Sequence, residues 1–313
     1  RKICEAMVLG IKGVQSVTAV LTAHDDQPHD HAHAHAPKAA VPRQAPPPQQ
    51  GIPGVAAIIA VASGKGGVGK STVAVNLALS LSRLGLKVGL LDADVYGPSL
   101  PRLLGITEKP ESDGKKLKPI VKHGLKTMSI GFLVEEDQAM IWRGPMVQSA
   151  LTQMLSDVDW APLDVLVLDM PPGTGDAQLT IAQRVPLKGA VIVSTPQDIA
   201  LIDAKKGITM FQKTHVPILG VVENMSMFTC PDCGSQHAIF GHGGARETAE
   251  KLGAPFLGEI PLVPRIRETS DAGTPVSVSV PDGPEAQAFL ELAKKVAAAL
   301  QTVSRPAPKI IIE

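Results

Sequence analysis

The feature that most constrains this chain is residues 63–72, SGKGGVGKST, which lie between a short apolar run and an amphipathic segment. AAIIAVA at 56–62 has the length of a buried strand and is too short to cross a membrane as a helix. TVAVNLALSLSRLG at 72–85 has apolar residues at helical spacing and ends on Gly85, a residue typical of helix C-termini. The segment therefore fits G-x-x-x-x-G-K-[ST] in the context that the motif requires, which is strand, loop and helix.

This phosphate-binding loop, residues 63–72, predicts a nucleotide site. Its glycines allow successive backbone N–H groups to turn inward, and the N-terminus of the following helix adds positive potential. Lys70 would reach the β- and γ-phosphates, and the Ser71 hydroxyl would ligate Mg²⁺. The residues expected to contact the nucleotide are Gly64, Lys65, Gly66, Gly67, Val68, Gly69, Lys70, Ser71 and Thr72.

The rest of the chain divides into segments of different composition. Residues 1–23 carry the end of a helix and an alternating strand, which predicts the C-terminal remnant of a small α+β domain. Residues 24–54 are rich in His and Pro and have few large apolar side chains, so they predict a disordered linker. We expect 55–303 to form the nucleotide-binding domain, with an insertion at 225–242, and 304–313 to form a tail.

Composition limits the classes of function. A chain of 313 residues that is 44% hydrophobic can bury a large core. A net charge of +0 and an aromatic content of 3% give no electrostatic argument for a nucleic-acid partner, and the absence of a long apolar run argues against a membrane partner. Three cysteines, two of them in a C-x-x-C, favour metal or redox chemistry in a reducing compartment, and we predict the cytoplasm.

Near-continuous apolar runs alternate with helical segments after the phosphate-binding loop. Such runs are typical of strands that helices cover on both faces, so the sequence predicts an α/β fold with a doubly wound, mainly parallel sheet. Two shorter strands joined at Gly124 are expected within 119–131, and a closing amphipathic helix at 287–300. The long apolar runs are residues 88–94, 163–170, 189–195 and 217–224.

Carboxylates stand at the ends of two of these strands. Asp92 and Asp94 end one strand as DAD, and two acids at alternating positions beside a phosphate-binding loop suggest a site for Mg²⁺ and the attacking water. Asp169 ends another strand as LVLD and fits an acid that holds Mg²⁺ through water. MPPGTGD follows Asp169 and combines stiff prolines with permissive glycines, which suits a loop that senses the γ-phosphate.

A polar, Gly-rich stretch at 225–244 places Cys230 and Cys233 so that both thiolates can face one metal. Two ligands do not complete a tetrahedral zinc site or a four-cysteine cluster. Three interpretations remain open at this point. His237 and His242 complete a structural zinc site, the pair forms a redox disulfide, or two chains each give their pair to one shared cluster.

Lys65 gives the loop a second lysine, and KGGVGKS resembles the deviant P-loop family of nitrogenase iron protein, the MinD and ParA positioning ATPases and the Mrp/ApbC carriers. Six motifs occur in order between about residues 55 and 300. They are GKGGVGKST, DADVYGPS, WRGPM, DMPPGTGD, ENMS and CPDCG. This series resembles the Mrp/ApbC-type iron–sulfur cluster carrier ATPases.

The resemblance implies roles for four residues of the nucleotide site. Lys65 is expected to reach across a nucleotide-sandwich homodimer to the ATP of the partner subunit. Asp94 is expected to orient or deprotonate the attacking water, and Asp92 to lie nearer the Mg²⁺ shell. Asn224, which closes a strand, is expected to hydrogen-bond adenine, because its amide offers one donor and one acceptor to the base edge.

The resemblance also implies slow ATP hydrolysis and a labile cluster, expected to be [4Fe–4S], that Cys230 and Cys233 of two subunits hold. The cluster would pass between an assembly scaffold and iron–sulfur apoproteins. The main alternative is a MinD- or ParA-like positioning switch with a structural metal at the C-x-x-C. Against it, SRPAPKIIIE at the end of the chain is not a basic amphipathic tail. A nitrogenase-type reductase is a second alternative, but its cluster cysteines lie far apart in sequence.

Overall fold

The structure, a computed structural model, describes residues 51–134 and 144–302. The predictions for 1–23, for most of the 24–54 linker and for 304–313 lie outside the described residues. Trp142 and Arg143 of the WRGPM motif also lie outside them. The predicted domain limits therefore stay predictions.

An eight-stranded sheet forms the centre of the domain, in the order β10-β7-β6-β1-β5-β2-β4-β3. All neighbouring strands are parallel except β3 and β4, which form an antiparallel pair at one edge, joined through Gly124 as predicted. The doubly wound, mainly parallel α/β prediction is confirmed. The strands are β1 Val55–Ala62, β2 Val88–Asp92, β3 Ile120–Lys122, β4 Leu125–Ser129, β5 Leu163–Asp169, β6 Gly189–Ser194, β7 Ile218–Glu223 and β10 Phe256–Glu259.

The central strands of the sheet are buried along almost their whole length. This burial indicates that helices cover the sheet on both faces. The helix after the phosphate-binding loop, α1, ends at Arg83, and Gly85 follows with a φ of 90°. Among the described residues, no helix combines the length and apolar character that crossing a bilayer needs. The helices are α1 Lys70–Arg83, α2 Leu100–Leu104, α3 Gly144–Ser156, α4 Asp176–Arg184, α5 Asp198–Lys213, α6 Gly244–Lys251, α7 Pro264–Asp271, α8 Val276–Ser279 and α9 Pro284–Thr302.

The sheet register brings the predicted acids to one place. Val61 of β1 and Asp92 of β2 both pair with Asp169 of β5, so the three strands end together at the carboxyl edge of the sheet. The phosphate-binding loop leaves β1 at this edge. Open α/β sheets bind ligands at such an edge, next to the point where the strand order reverses.

A small antiparallel hairpin carries the two cysteines. Its strands are β8 Phe228–Thr229 and β9 Gln236–His237, which lie outside the main sheet. The hairpin follows β7 and precedes α6. We call residues 226–243 the cysteine hairpin.

Candidate functional site

The phosphate-binding loop depends on glycine at its turns. Gly67 and Gly69 have φ angles of 81° and 80°, which residues other than glycine rarely adopt. Gly66 and Gly67 are exposed, and a Cβ on either would meet no atom within 4 Å, so the backbone is accessible there. Helix α1 begins at Lys70, directly after Gly69. This geometry suits an anion bound by backbone N–H groups at a helix N-terminus.

The Lys70 ammonium lies at the centre of the acids. It is 6% exposed, and its Nζ lies 2.5 Å from Oδ1 of Asp169, which is fully buried. Its Nζ also lies 3.2 Å from the Ser71 hydroxyl oxygen. Lys70, Ser71 and Asp169 therefore form one cluster, as the sequence predicts for a nucleotide site.

Asp169 has one oxygen left over. Its Oδ2 is buried, and no group of the described residues donates a hydrogen bond to it. A buried acceptor without a donor is unfavourable. This oxygen is therefore suited to accept a hydrogen bond from a water molecule bound to a metal ion. The Ser71 hydroxyl lies beside the same lysine and supplies the oxygen ligand that Mg²⁺ prefers. The residues present thus fit a Mg²⁺ site.

Asp92 is fully buried and accepts four hydrogen bonds. Burial, and then the negative charge of Asp169, raise the pKa of Asp92 to about 7. Because most of its donors belong to the following segment, Asp92 fixes the path of the chain into α2. The donors are the N–H groups of Asp94, Ser99 and Leu100 and the Ser129 hydroxyl.

Asp94 is half-buried beside a cavity of about 350 Å³. Burial raises the pKa of Asp94, and the charge of Lys70 counteracts that effect. The cavity lies between Tyr96, the Pro171–Pro172 turn and α3 and α4. Asp94 is therefore the acid of this edge that faces accessible space, as a group that positions water must.

The segment after Asp169 is tied to the phosphate-binding loop. Gly173 has a φ of 94°, and its N–H donates to the Ser63 carbonyl over 3.0 Å. The Ser63 hydroxyl in turn donates to the Lys65 carbonyl over 2.8 Å. A change in the phosphate-binding loop would thus reach the segment that the sequence predicts to sense the γ-phosphate.

Asn224 packs directly on the phosphate-binding loop. Its Nδ2 donates to the Val68 carbonyl over 2.8 Å, and a Cβ on Gly69 would lie 2.2 Å from that nitrogen. The side chain is 7% exposed. One amide hydrogen is thus committed to the protein backbone, and the predicted contact with adenine stays a prediction.

The cysteine hairpin presents both thiols in the free form, with Cys230 half-buried and Cys233 exposed. A tight turn joins them, because the Gly234 N–H donates to the Cys230 carbonyl and the Cys230 N–H to the Ser235 carbonyl, each over 2.9 Å. The Ser235 hydroxyl lies 2.9 Å from the Cys233 sulfur, and this hydrogen bond lowers the pKa of the Cys233 thiol. A lowered pKa favours the thiolate, which is the form that binds metal.

The histidines do not complete a zinc site with these cysteines. The His237 Nε2 lies 2.9 Å from the Ser235 hydroxyl, and the His242 Nε2 lies 2.9 Å from Oε2 of Glu259. Within the described part of the chain, the one group of three possible metal ligands contains His242 but neither cysteine. Among residues 51–134 and 144–302, the two cysteines therefore lack the further ligands that a structural zinc site within one chain needs.

Sequence reasoning missed Glu223, which precedes Asn224 and is fully buried at the end of β7. Its carboxylate accepts hydrogen bonds from both sides of the cysteine hairpin. The available signal was a charged residue that directly follows the apolar run ILGVV. Such a position predicts a strand end but does not name the partners.

A family model and several relatives match most of the chain. Residues 54–297 match the family model described as "ParA: NUBPL iron-transfer P-loop NTPase". The chain belongs to this family. An "Iron-sulfur cluster carrier protein" of Salmonella typhimurium is 59% identical over 254 residues, which are 80% of this chain and 69% of the relative. An "Iron-sulfur cluster transfer protein NUBPL" of Dictyostelium discoideum is 55% identical over 256 residues, which are 81% and 79% of the two chains.

Similar solved structures agree with the fold. A nucleotide-binding protein of Archaeoglobus fulgidus in complex with ADP has a TM-score of 0.65 at 41% identity, covering 75% of this chain and 92% of its own. The cell-division ATPase MinD of Pyrococcus furiosus has a TM-score of 0.59 at 23% identity, covering 78% and 99%. The likeness to MinD concerns the fold alone. The predicted resemblance to iron–sulfur carrier NTPases is confirmed.

Proposed function

We propose that this protein is an ATP-hydrolysing homodimer that carries a labile iron–sulfur cluster and transfers it to apoproteins. The observation that carries the proposal is the free Cys230–Cys233 pair on a hairpin of a chain that is 59% identical to an iron–sulfur cluster carrier. The phosphate-binding loop of the same domain would bind the nucleotide that controls cluster binding or release at the cysteine pair. A labile cluster needs a reducing compartment, and we propose the cytoplasm.

The phosphate chemistry follows from the charges around the loop. Lys70 and the loop N–H groups would stabilise the charge on the transferring phosphoryl group, and Lys65 would act on the nucleotide of the second subunit. Asp94 would accept a hydrogen bond from the attacking water, and its raised pKa makes it a stronger base for that proton. Asn224 would hold the adenine edge with the part of its amide that Val68 does not use.

Mg²⁺ would bind to the Ser71 hydroxyl and, through water, to the unpartnered oxygen of Asp169. When bound, it would neutralise charge on the phosphates. Asp92 lies at the same strand ends and would belong to the outer part of the Mg²⁺ shell. Its four hydrogen bonds would at the same time hold the 94–100 segment in place.

The cluster would lie on a two-fold axis between subunits. One chain supplies two thiolates, and a [4Fe–4S] or [2Fe–2S] cluster with cysteine ligands takes four, so two hairpins complete one site. We expect [4Fe–4S]. The hydrogen bond from Ser235 supports the thiolate of Cys233. An assembly scaffold would supply the cluster and iron–sulfur apoproteins would receive it, without a nucleic-acid or membrane partner.

Anaerobic reconstitution with iron and sulfide tests this function. We expect a broad charge-transfer absorption and about four irons per dimer in the wild type. The Cys230→Ala/Cys233→Ala variant should show neither, while its affinity for ADP stays unchanged, because the hydrogen bonds of Cys230 and Cys233 stay within the cysteine hairpin. Absence of a cluster in the wild type, or an unchanged cluster in the variant, would contradict the proposal. ATP-dependent sedimentation with anionic liposomes would then favour a positioning switch.

A further inference from the structure

A buried carboxylate with no part in the chemistry above lies at the base of the cysteine hairpin. Glu223 is 0% exposed and accepts hydrogen bonds from the N–H groups of Gly243 over 2.9 Å and Ala245 over 2.8 Å. Both donors lie at the start of α6, where the helix dipole favours negative charge. Because an unpaired charge is costly to bury, these bonds hold the start of α6 firmly on the end of β7.

Both ends of the cysteine hairpin meet this carboxylate. The Ser226 hydroxyl at the beginning of the hairpin donates to Glu223 over 2.9 Å, and Gly243 marks the end of the hairpin. Glu259 on β10 adds a second layer, since it lies 3.2 Å from the same hydroxyl and 2.9 Å from the His242 Nε2. The position of the hairpin is therefore set where it joins the main sheet.

Glu223, His242 and Glu259 are close enough to resemble a metal site, with ligand atoms within 4.8 Å of one another. The two oxygens of Glu223, however, already accept from two N–H groups and one hydroxyl. Three donors use most of the roughly four lone-pair sites of this carboxylate, which leaves little capacity for a cation. The contacts thus indicate an anchor, and a metal ligand would disrupt them.

The next residue along the chain holds the phosphate-binding loop. Asn224 donates from its side chain to the Val68 carbonyl over 2.8 Å and from its backbone to the Ser194 carbonyl over 2.7 Å. Adjacent residues share a planar peptide unit, so restricting one restricts the backbone of the other. Two neighbouring residues therefore bind two different parts of the candidate site, Asn224 the phosphate-binding loop and Glu223 the cysteine hairpin.

We propose that Glu223 is a positioning residue that transmits the ordering of the phosphate-binding loop by nucleotide to the cysteine hairpin. This inference rests on the proposed function in that the loop binds nucleotide and the hairpin carries the cluster. Nucleotide would fix the backbone at Val68, and Asn224 and then Glu223 would lose freedom with it. The hydrogen bonds from Gly243 and Ala245 would consequently open less often, which is a coupling between two sites.

Amide hydrogen exchange on the reduced, cluster-free protein with and without Mg²⁺·ADP tests this coupling. In the wild type, we expect exchange to slow in the phosphate-binding loop and, by at least about fivefold, in residues 226–245. Glu223→Gln should retain the slowing in the loop and lose it in the hairpin, because an amide nitrogen at this position cannot accept from a backbone N–H. Glu259→Gln is the matched control. It removes a charge from the outer layer, leaves the bonds of Glu223 in place and should behave as the wild type.

Slowing in the hairpin that persists in Glu223→Gln would overturn the inference, as would a wild-type hairpin that does not respond while the loop does. If Glu223→Gln does not fold, Ser226→Ala decides, since it removes one donor and leaves the buried carboxylate on α6. That variant should keep the slowing at Gly243 and Ala245 and lose it beside residue 226, because only the Ser226 donor is gone. Full wild-type slowing beside residue 226 would overturn the inference. If exchange in the phosphate-binding loop does not change on addition of Mg²⁺·ADP, nucleotide binding itself is contradicted. If no cluster forms in the reconstitution experiment, the carrier function is contradicted while this coupling stays intact.

Discussion

Lys70 places one positive charge beside the carboxylates at the strand ends. Lys70 pairs with Asp169, and its positive charge also lowers the pKa of Asp92, although burial and Asp169 have larger, opposite effects. Two buried carboxylates beside a single ammonium leave this edge with excess negative charge. A divalent cation would compensate that excess, so the protonation of the acids and the binding of Mg²⁺ should be linked.

We predict that binding of Mg²⁺·ADP at pH 7 releases protons from the protein. Because the pKa of Asp92 is raised to about 7, Asp92 is about half protonated at that pH, and a nearby Mg²⁺ favours its ionised form. Up to about half a proton per site should be released, and affinity should therefore rise with pH between about 6 and 8. Titration calorimetry in two buffers with different ionisation enthalpies measures the release.

Asp92→Asn is the control for this linkage, since an amide has no proton to release in that range. The variant should lose most of the difference in binding enthalpy between the two buffers. An identical binding enthalpy in both buffers for the wild type would contradict the prediction. So would a variant that releases as many protons as the wild type.

Among the elements, α5 lies directly against the phosphate-binding loop at Gly64. A Cβ on Gly64 would lie 2.1 Å from the Asp203 carbonyl carbon in α5, a distance that real Cβ atoms do not show. We predict that Gly64→Ala separates the loop from α5 and lowers the free energy of unfolding by about 2 kcal/mol, in the range of overpacking. Chemical denaturation measures the loss.

Gly66→Ala is the matched control in the same loop, because its Cβ would meet no atom within 4 Å. Its unfolding free energy should stay within about 0.5 kcal/mol of the wild type. Equal stability of Gly64→Ala and Gly66→Ala would show that the contact with α5 adapts, contrary to the prediction.

The elements also show how far the sequence alone leads. The buried strands β1, β2, β5, β6 and β7 were predictable because helices cover both faces and leave apolar runs in the sequence. β10 was not predicted, since its four residues, FLGE, are too few to show a period. The bond from Asn224 to Val68 joins residues 156 apart in sequence, and no local pattern encodes such a contact. The same reason explains why the partners of Glu223 emerged only from the structure.

At the scale of the whole molecule, the proposed cluster site needs more ligands than one cysteine hairpin offers. The cysteine hairpin supplies two thiolates, half of what a cysteine-bound cluster takes. Lys65 is half-buried at the start of a loop whose own lysine, Lys70, already pairs with Asp169. Both features support the proposed two-fold dimer, which would present the same surface twice.

We predict that Lys65 supports dimer formation on nucleotide more than it supports the binding of nucleotide to one chain. With the reduced, cluster-free protein and a non-hydrolysable ATP analogue, Lys65→Gln should shift the dimer towards monomer by about tenfold in its dissociation constant. A tenfold change corresponds to about 1.4 kcal/mol, which is the loss of two ionic contacts, one from each subunit, of about 0.7 kcal/mol each. ADP affinity of the monomer should change little, since Lys70 and the loop N–H groups remain. Sedimentation velocity measures the dimer, and calorimetry measures the binding.

Lys115→Gln is the control for the loss of one positive charge, because Lys115 is exposed and its N–H pairs with Asp113, far along the chain from the loop. Its dimer should match that of the wild type. If Lys65→Gln weakens ADP binding to the monomer as much as it weakens the dimer, Lys65 acts within its own subunit. Only the cysteine pair would then support a dimer, and the cluster content after reconstitution would have to rise with the protein concentration as the dimer forms.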